Sequence, residues 1–140
     1  MGSRREAREA DIVGINATLT SGAVDASTFA SMTAEAVSDK VALVDEAARE
    51  AGRLDDIELN IRAFMVVVTD DVDGALDLLV GFTGAPREVI AASPFALIGP
   101  PSKLVEELRE RRERWGFSYV IVGQDEIDAF APVVAELAGT

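Results

Sequence analysis

The sequence contains no cysteine and no histidine among its 140 residues. Without these side chains the chain has no disulfide framework, no thiolate nucleophile, no serine–histidine pair and no zinc site of the usual nitrogen and sulfur type. The lack of cysteine is compatible with a reducing cytoplasm but does not prove that location. From residue types alone we identify no catalytic residue and no metal site.

Positive charge and long apolar runs are also scarce. The 13 Lys and Arg residues stand against 25 Asp and Glu residues, and the resulting net charge of −12 repels phosphate backbones and anionic lipid surfaces. The longest apolar run, residues 63–68, is far shorter than the roughly 18 residues that a membrane span needs. Residues 1–10 alternate in charge and do not resemble a signal peptide. We therefore expect no nucleic-acid partner, no membrane partner and a soluble, cytoplasmic protein.

The residues that are present predict a single α/β domain over residues 1–140, since no repeat, low-complexity tract or linker divides the sequence. β-branched runs alternate with amphipathic segments, which is typical of a parallel sheet flanked by helices. The predicted strands are 11–15, 57–68 and 118–123, and the predicted helices are 4–10, 33–51, 72–80, 102–115 and 125–137. Residues 16–33 show little periodicity and are expected to form a long loop after the first strand.

Three strands are few for a chain of this length. A (β/α)₈ barrel uses about 31 residues for each unit, so a chain of 140 residues would be expected to hold four or five strands. Three parallel strands leave two unpaired edges and one poorly covered face. We therefore interpret the sequence as an incomplete parallel sheet that belongs to something larger.

Three segments resemble the C-terminal part of the luciferase-like oxidoreductases, most closely the branch that uses a deazaflavin coenzyme in place of FMN. They are READIVGIN (8–16), SPFALIGPPSKLVEELRERRERWGFSYVIVG (93–123) and DAFAPVVAELAG (128–139). The resemblance implies that the predicted strands are about the sixth to eighth of a TIM barrel. It also implies an oxidoreductase that moves a hydride between coenzyme F-420 or FMN and an organic substrate, or a monooxygenase that activates oxygen.

The resemblance does not cover the family's first five strands, which contribute most of the coenzyme ring pocket and the usual acid and base side chains. We therefore expect this chain to be inactive alone or to need a complementary barrel half. The family's glycine-rich phosphate loop corresponds here only to Gly2 and Ser3, followed by Arg4 and Arg5. Backbone N–H groups at a helix start and two guanidinium groups favour phosphate, so these four residues are candidate coenzyme ligands. The alternative is a frayed, solvated terminus.

Polar residues follow two of the predicted strands. Asn16, Thr18, Thr20 and Ser21 come after the first strand, and Gln124 follows the third. In a barrel these side chains would face the active-site mouth, where they would hydrogen-bond a substrate or the coenzyme. Ordinary turn chemistry is the alternative for each of them.

Arg62 shares a face of its strand with Glu58 and Asn60. A charged side chain on the interior face of a barrel needs a partner. Glu58 is about 13 Å away along the strand, so Asp11 on the neighbouring strand is the expected partner. A ligand role for Arg62 is the alternative. The alternating charges of residues 103–114 predict a solvated helix face, with i, i+4 pairs at Glu107–Arg111 and Glu110–Arg114.

A second hypothesis for the function belongs to a different class. An open parallel sheet exposes unpaired backbone groups at both edges, and such edges favour association with other chains. The chain is then a non-catalytic α/β module that forms a homo-oligomer or binds a partner through its sheet.

Overall fold

The computed structural model describes residues 2–18 and 26–140, without the side chains of Gly2, Ser3 and Ala26. The helices are α1 (Gly2–Glu9), α2 (Ala26–Ser31), α3 (Ala34–Glu50), α4 (Val72–Thr83), α5 (Arg87–Ala92), α6 (Pro101–Trp115) and α7 (Ile127–Leu137). The strands are β1 (Ile12–Ile15), β2 (Glu58–Arg62), β3 (Met65–Val68), β4 (Ala96–Gly99) and β5 (Phe117–Ile121). Short 3₁₀ helices cover Leu54–Asp56 and Gln124–Glu126.

The strands of the described residues form two small parallel sheets. One sheet has the order β1-β2-β5, and the other pairs β3 with β4. The predicted strand 57–68 is divided between them at Ala63 and Phe64. The Ala63 N–H still donates to the Ile121 carbonyl of β5 at 2.9 Å, whereas the Phe64 N–H donates to the Phe95 carbonyl, next to β4, at 2.9 Å. One extended segment therefore leaves the first sheet and enters the second.

The prediction of three strands and of a long loop was wrong in three places. The helices α2 and α5 and the strand β4 were all missed, and each of them is only four to six residues long. All four residues of β4 are buried, so the strand lacks the alternation that identifies a half-exposed strand, and periodicity alone cannot recognise it. Within the expected loop, residues 19–25, including Thr20 and Ser21, lie outside the described residues.

Helices cover one face of the three-stranded sheet. The apolar residues Val13, Ile15, Leu59, Ile61 and Phe117 are buried in one cluster with the stripe of α3. The opposite face carries Ile12 and Tyr119, whose exposed fractions are 48% and 46%, and also the exposed Arg62. The predicted alternation along β2 is therefore confirmed, and the described residues leave one face of the sheet uncovered.

The spacing of apolar residues in the long helices predicts a stripe on one side of each, and these stripes are buried in α3 and α6. Val37, Val41, Val44 and Ala48 of α3 are all buried, as are Leu104, Leu108 and Trp115 of α6. The spacing in α7 predicts a stripe of Ile127, Phe130, Val134 and Leu137, and this prediction was partly wrong. Ile127 and Val134 are exposed, while Val133 is buried beside Phe130. A proline inside a helix is expected to kink or interrupt it, but α7 continues as one helix through Pro132. The fold is thus mixed α/β with small parallel sheets, and the described strands form no closed barrel.

Candidate functional site

A cavity of about 660 Å³ opens where β1 ends and where β2 gives way to β3. We call it the strand-end cavity. Most of its described lining is aromatic or methionine, contributed by Phe29, Met32, Phe64, Met65 and Phe82; smaller or polar contributions come from Asn16, Ala17, Thr28 and Thr83. The volume is in the range of small-molecule sites, and the carboxyl ends of parallel strands are where α/β folds bind ligands.

Contacts between distant parts of the chain hold the walls of the strand-end cavity. The Phe64 ring stacks on Phe95, with centroids 5.9 Å apart. The Ser93 hydroxyl, only 1% exposed, donates to the Met32 carbonyl at 2.7 Å. Phe82, in contrast, is 88% exposed on α4. The cavity therefore has anchored inner walls and an aromatic side chain at its solvent rim.

Arg62 lies beside the cavity wall. Its guanidinium carbon is 5.7 Å from the centroid of the Phe64 ring, within the range of a cation–π contact. Within residues 2–18 and 26–140, the Arg62 side chain has no ion pair and no hydrogen bond. This guanidinium therefore remains available to a ligand.

The expected pairing of Arg62 with Asp11 was wrong. The Asp11 carboxylate instead accepts a hydrogen bond from Arg53 at 2.9 Å. The strand register explains the difference: Ile12 lies opposite Glu58, so Asp11 is near the start of β2 and about 17 Å from Arg62 along the strand. The two charges are at opposite ends of the sheet.

Two carboxamides converge near the end of β1, on the uncovered face. Gly14 lies opposite Asn60 in the sheet, and a Cβ atom at Gly14 would be 3.1 Å from Asn60 Oδ1 and 3.5 Å from Asn16 Nδ2. The missing side chain at position 14 thus leaves room for both amides. In the described part of the chain, neither carboxamide has a hydrogen-bond partner. Asn16 lines the strand-end cavity; its position at a barrel mouth and its role in ligand binding stay predictions.

A lysine that the sequence did not single out joins two of the predicted residues. Lys40 Nζ donates to the Asn16 carbonyl and, at 3.2 Å, to Thr18 Oγ1. Burial lowers the pKa of the Lys40 ammonium. The Thr18 N–H donates to Ser31 Oγ at 2.8 Å. Asn16 and Thr18 are therefore held together, and the nearest lysine is already engaged by protein oxygens.

The candidate coenzyme residues at the chain start are not among the described lining residues of the strand-end cavity. Gly2 and Ser3 lie in the first turn of α1, Arg4 donates to Glu46 at 2.9 Å, and Arg5 lies 3.5 Å from Glu9. Glu46, the partner of Arg4, is six residues beyond Lys40 on α3. The Arg4 contact is therefore about 9 Å along that helix from the lysine that contacts Asn16. The described contacts thus direct both guanidinium groups to carboxylates, and phosphate binding there stays a prediction.

Gln124 begins the 3₁₀ helix that follows β5, and its side chain is exposed. Gln124 and Asn16 both follow the carboxyl ends of their strands, but β2 lies between β5 and β1 in the sheet. Gln124 is not among the described lining residues of the strand-end cavity. The structure therefore brings Asn16 and Thr18 together and leaves Gln124 apart from them.

Within the described ranges there is no cluster of three or more carboxylate side chains able to hold a metal ion. No helix in that part of the chain has the length and apolar character required to cross a membrane. Comparison with known proteins found no match to the chain among protein-family models, curated proteins or solved structures.

Proposed function

We propose that the chain forms the C-terminal part of a luciferase-like barrel, with β1, β2 and β5 in the places of strands six, seven and eight. In support, these strands are parallel and neighbour one another in chain order. The complete barrel would be an oxidoreductase or monooxygenase that uses coenzyme F-420 or FMN and acts on an organic substrate.

The observation that carries this proposal is the uncovered face of the three-stranded sheet. In a (β/α)₈ barrel the helices lie outside and the inner strand faces fill the barrel interior. Here the helix-covered face is buried, while Arg62 and Tyr119 stand on a face that the described residues leave open. A complementary set of strands, from another chain or another copy, would pair with the edges β1 and β5 and enclose that face.

The coenzyme would supply the hydride or oxygen chemistry when bound. This chain would contribute side chains that hold the coenzyme ring against the substrate and exclude water. Arg4 and Arg5 would bind the coenzyme phosphate, and Asn16, Thr18 and Gln124 would contact the substrate or coenzyme at the mouth. We expect the isolated chain to be inactive because no acid or base group is assigned in it.

The test is a titration of the purified chain with FMN and with coenzyme F-420, followed by the absorbance spectrum of each. The expected result is a saturable spectral change that is weakened in Arg4→Gln and Arg5→Gln and retained in Arg109→Gln, an exposed arginine on α6. Size-exclusion chromatography with light scattering gives the oligomeric state of the same samples. No spectral change with either coenzyme would contradict the proposal.

A second candidate is a non-catalytic module that associates through its sheet. Ile12 and Tyr119, on the two edge strands, expose about half of their surface on the uncovered face. Exposed apolar side chains beside unpaired strand edges favour strand addition by another chain. A tight oligomer that gives no spectral change with either coenzyme would favour this candidate.

A further inference from the structure

Arg62 is an unusual cation in an acidic chain. The net charge is −12, yet no carboxylate in the described part of the chain pairs with Arg62. The acidic residue on the same face of β2, Glu58, lies four positions earlier and accepts a hydrogen bond from Ser118 Oγ at 2.7 Å. Arg62 is the last residue of β2, and its guanidinium, which lies next to Phe64, is therefore available to a ligand.

The strand-end cavity has no charged side chain in its described lining. Its three phenylalanines and two methionines favour an apolar ligand, because burial contributes about 25 cal/mol for each Å² of apolar surface removed from water. Lys40, which contacts the lining residue Asn16, already donates to the Asn16 carbonyl and to Thr18 Oγ1. A ligand with an apolar body and an anionic end could therefore place its apolar body against the phenylalanines and methionines and its anionic end against Arg62.

We propose that the strand-end cavity binds a carboxylate with an apolar body, such as a medium-chain acyl or aryl acid. The apolar body packs among Phe29, Phe64 and Phe82, and the carboxylate accepts hydrogen bonds from the Arg62 guanidinium. The inference goes beyond the proposed oxidoreductase, since it requires neither coenzyme nor a closed barrel.

The acidic composition of the chain does not oppose this binding. Charges separated by more than a Debye length, about 8 Å at physiological ionic strength, are largely screened. A guanidinium in direct contact offers two parallel N–H donors, which match the geometry of a carboxylate. We therefore expect the direct contact at Arg62 to dominate the electrostatics of binding, and raising the salt concentration weakens it.

Calorimetric titration of the purified chain, without coenzyme, tests the proposal with octanoate and with octanamide. The two molecules have nearly the same shape and differ in charge. We expect octanoate to bind about tenfold more tightly, the ratio that corresponds to one charge-assisted hydrogen-bonded contact. Arg62→Gln is expected to remove this preference, whereas Arg109→Gln on α6 keeps it.

Phe82→Ser tests the apolar half of the site. Phe82 is 88% exposed, so its replacement does not disturb the core, and circular dichroism verifies that the fold is kept. We expect the variant to weaken octanoate and octanamide alike. Equal affinity for the two ligands, an unchanged preference in Arg62→Gln, or no saturable binding of octanoate would each overturn the proposal. If neither coenzyme changes its spectrum with the chain, the proposed function is overturned, but the binding of octanoate remains a separate result.

Discussion

At the scale of single residues, Arg111 is the clearest departure from what the sequence predicted. The expected pair with Glu107 is confirmed at 3.5 Å, but the side chain is only 13% exposed and not part of a solvated face. Its guanidinium donates to the carbonyls of Pro94 at 3.0 Å and Ala96 at 2.7 Å. Burial lowers the pKa of Arg111, and the carboxylates of Glu107 and Glu110 oppose that shift. Arg111 thus joins α6 to the turn that precedes β4.

Replacing Arg111 by methionine is expected to destabilise the fold by about 2–4 kcal/mol, because the buried carbonyls would lose their donor. Urea unfolding followed by circular dichroism measures the loss. Arg109→Met, on the exposed side of the same helix, is the matched control and is expected to change stability by less than about 0.5 kcal/mol. Equal losses in the two variants would show that the contacts of Arg111 do not support the turn.

The other expected pair on this helix, Glu110–Arg114, is absent from the described ion pairs. Arg114 instead lies over the Trp115 ring, 4.3 Å from its centroid. The i, i+4 spacing indicates which side chains are neighbours on a helix. It does not show whether an aromatic ring competes for the cation. That depends on where the ring packs, and here Trp115 is the last residue of α6.

At the scale of elements, α4 shows how strong local signals predict a helix. An aspartate directly before an amphipathic run predicts a helix cap, and the Asp71 carboxylate accepts a hydrogen bond from the Gly74 N–H at 2.9 Å. The helix continues past the predicted end to Thr83 and stops at Gly84, whose φ of 72° lies in the left-handed region. Both ends are determined by residues within one turn, which is why the sequence identifies the element.

Asp71→Ala is expected to lower the free energy of unfolding by about 1 kcal/mol, because the first turn of α4 loses its side-chain acceptor. Thermal or urea unfolding measures the change. Asp71→Asn keeps an acceptor oxygen and is expected to retain most of the stability. If both variants unfold alike, charge rather than capping determines the contribution of Asp71.

The candidate site could be predicted only in part. Asn16 and Thr18 were found because they follow a strand whose apolar residues are evident in the sequence. Lys40 lies on α3, Phe64 between β2 and β3, and Phe82 on α4. Only the tertiary packing brings them close to the end of β1. Arg62 was assigned the wrong partner because pairing register is not visible in one strand alone.

At the scale of the whole molecule, the uncovered sheet face has a direct consequence for association. Ile12, on the edge strand β1, is 48% exposed on that face. We expect the chain to self-associate as its concentration rises, because unpaired strand edges and exposed apolar surface are both present. Sedimentation velocity over a range of concentrations measures the effect.

Ile12→Lys should shift this equilibrium toward the monomer, since a lysine on an edge strand opposes strand addition. Leu78→Lys is the control: Leu78 is more exposed, at 71%, but lies on α4 and not on the sheet. A wild-type chain that stays monomeric at high concentration would contradict the expected association. An equal effect of the two variants would place the contact elsewhere.

The segment from Glu58 to Val68 takes part in both sheets, since β2 pairs with β1 and β5 whereas β3 pairs with β4. Neither sheet can unfold without disturbing this segment of backbone, so we expect the two sheets to unfold as one cooperative unit. Phe64 and Met65 sit at the junction and also line the cavity. A molecule bound there would therefore protect the amides of both layers against hydrogen exchange together, and tight binding would raise the melting temperature of the entire chain.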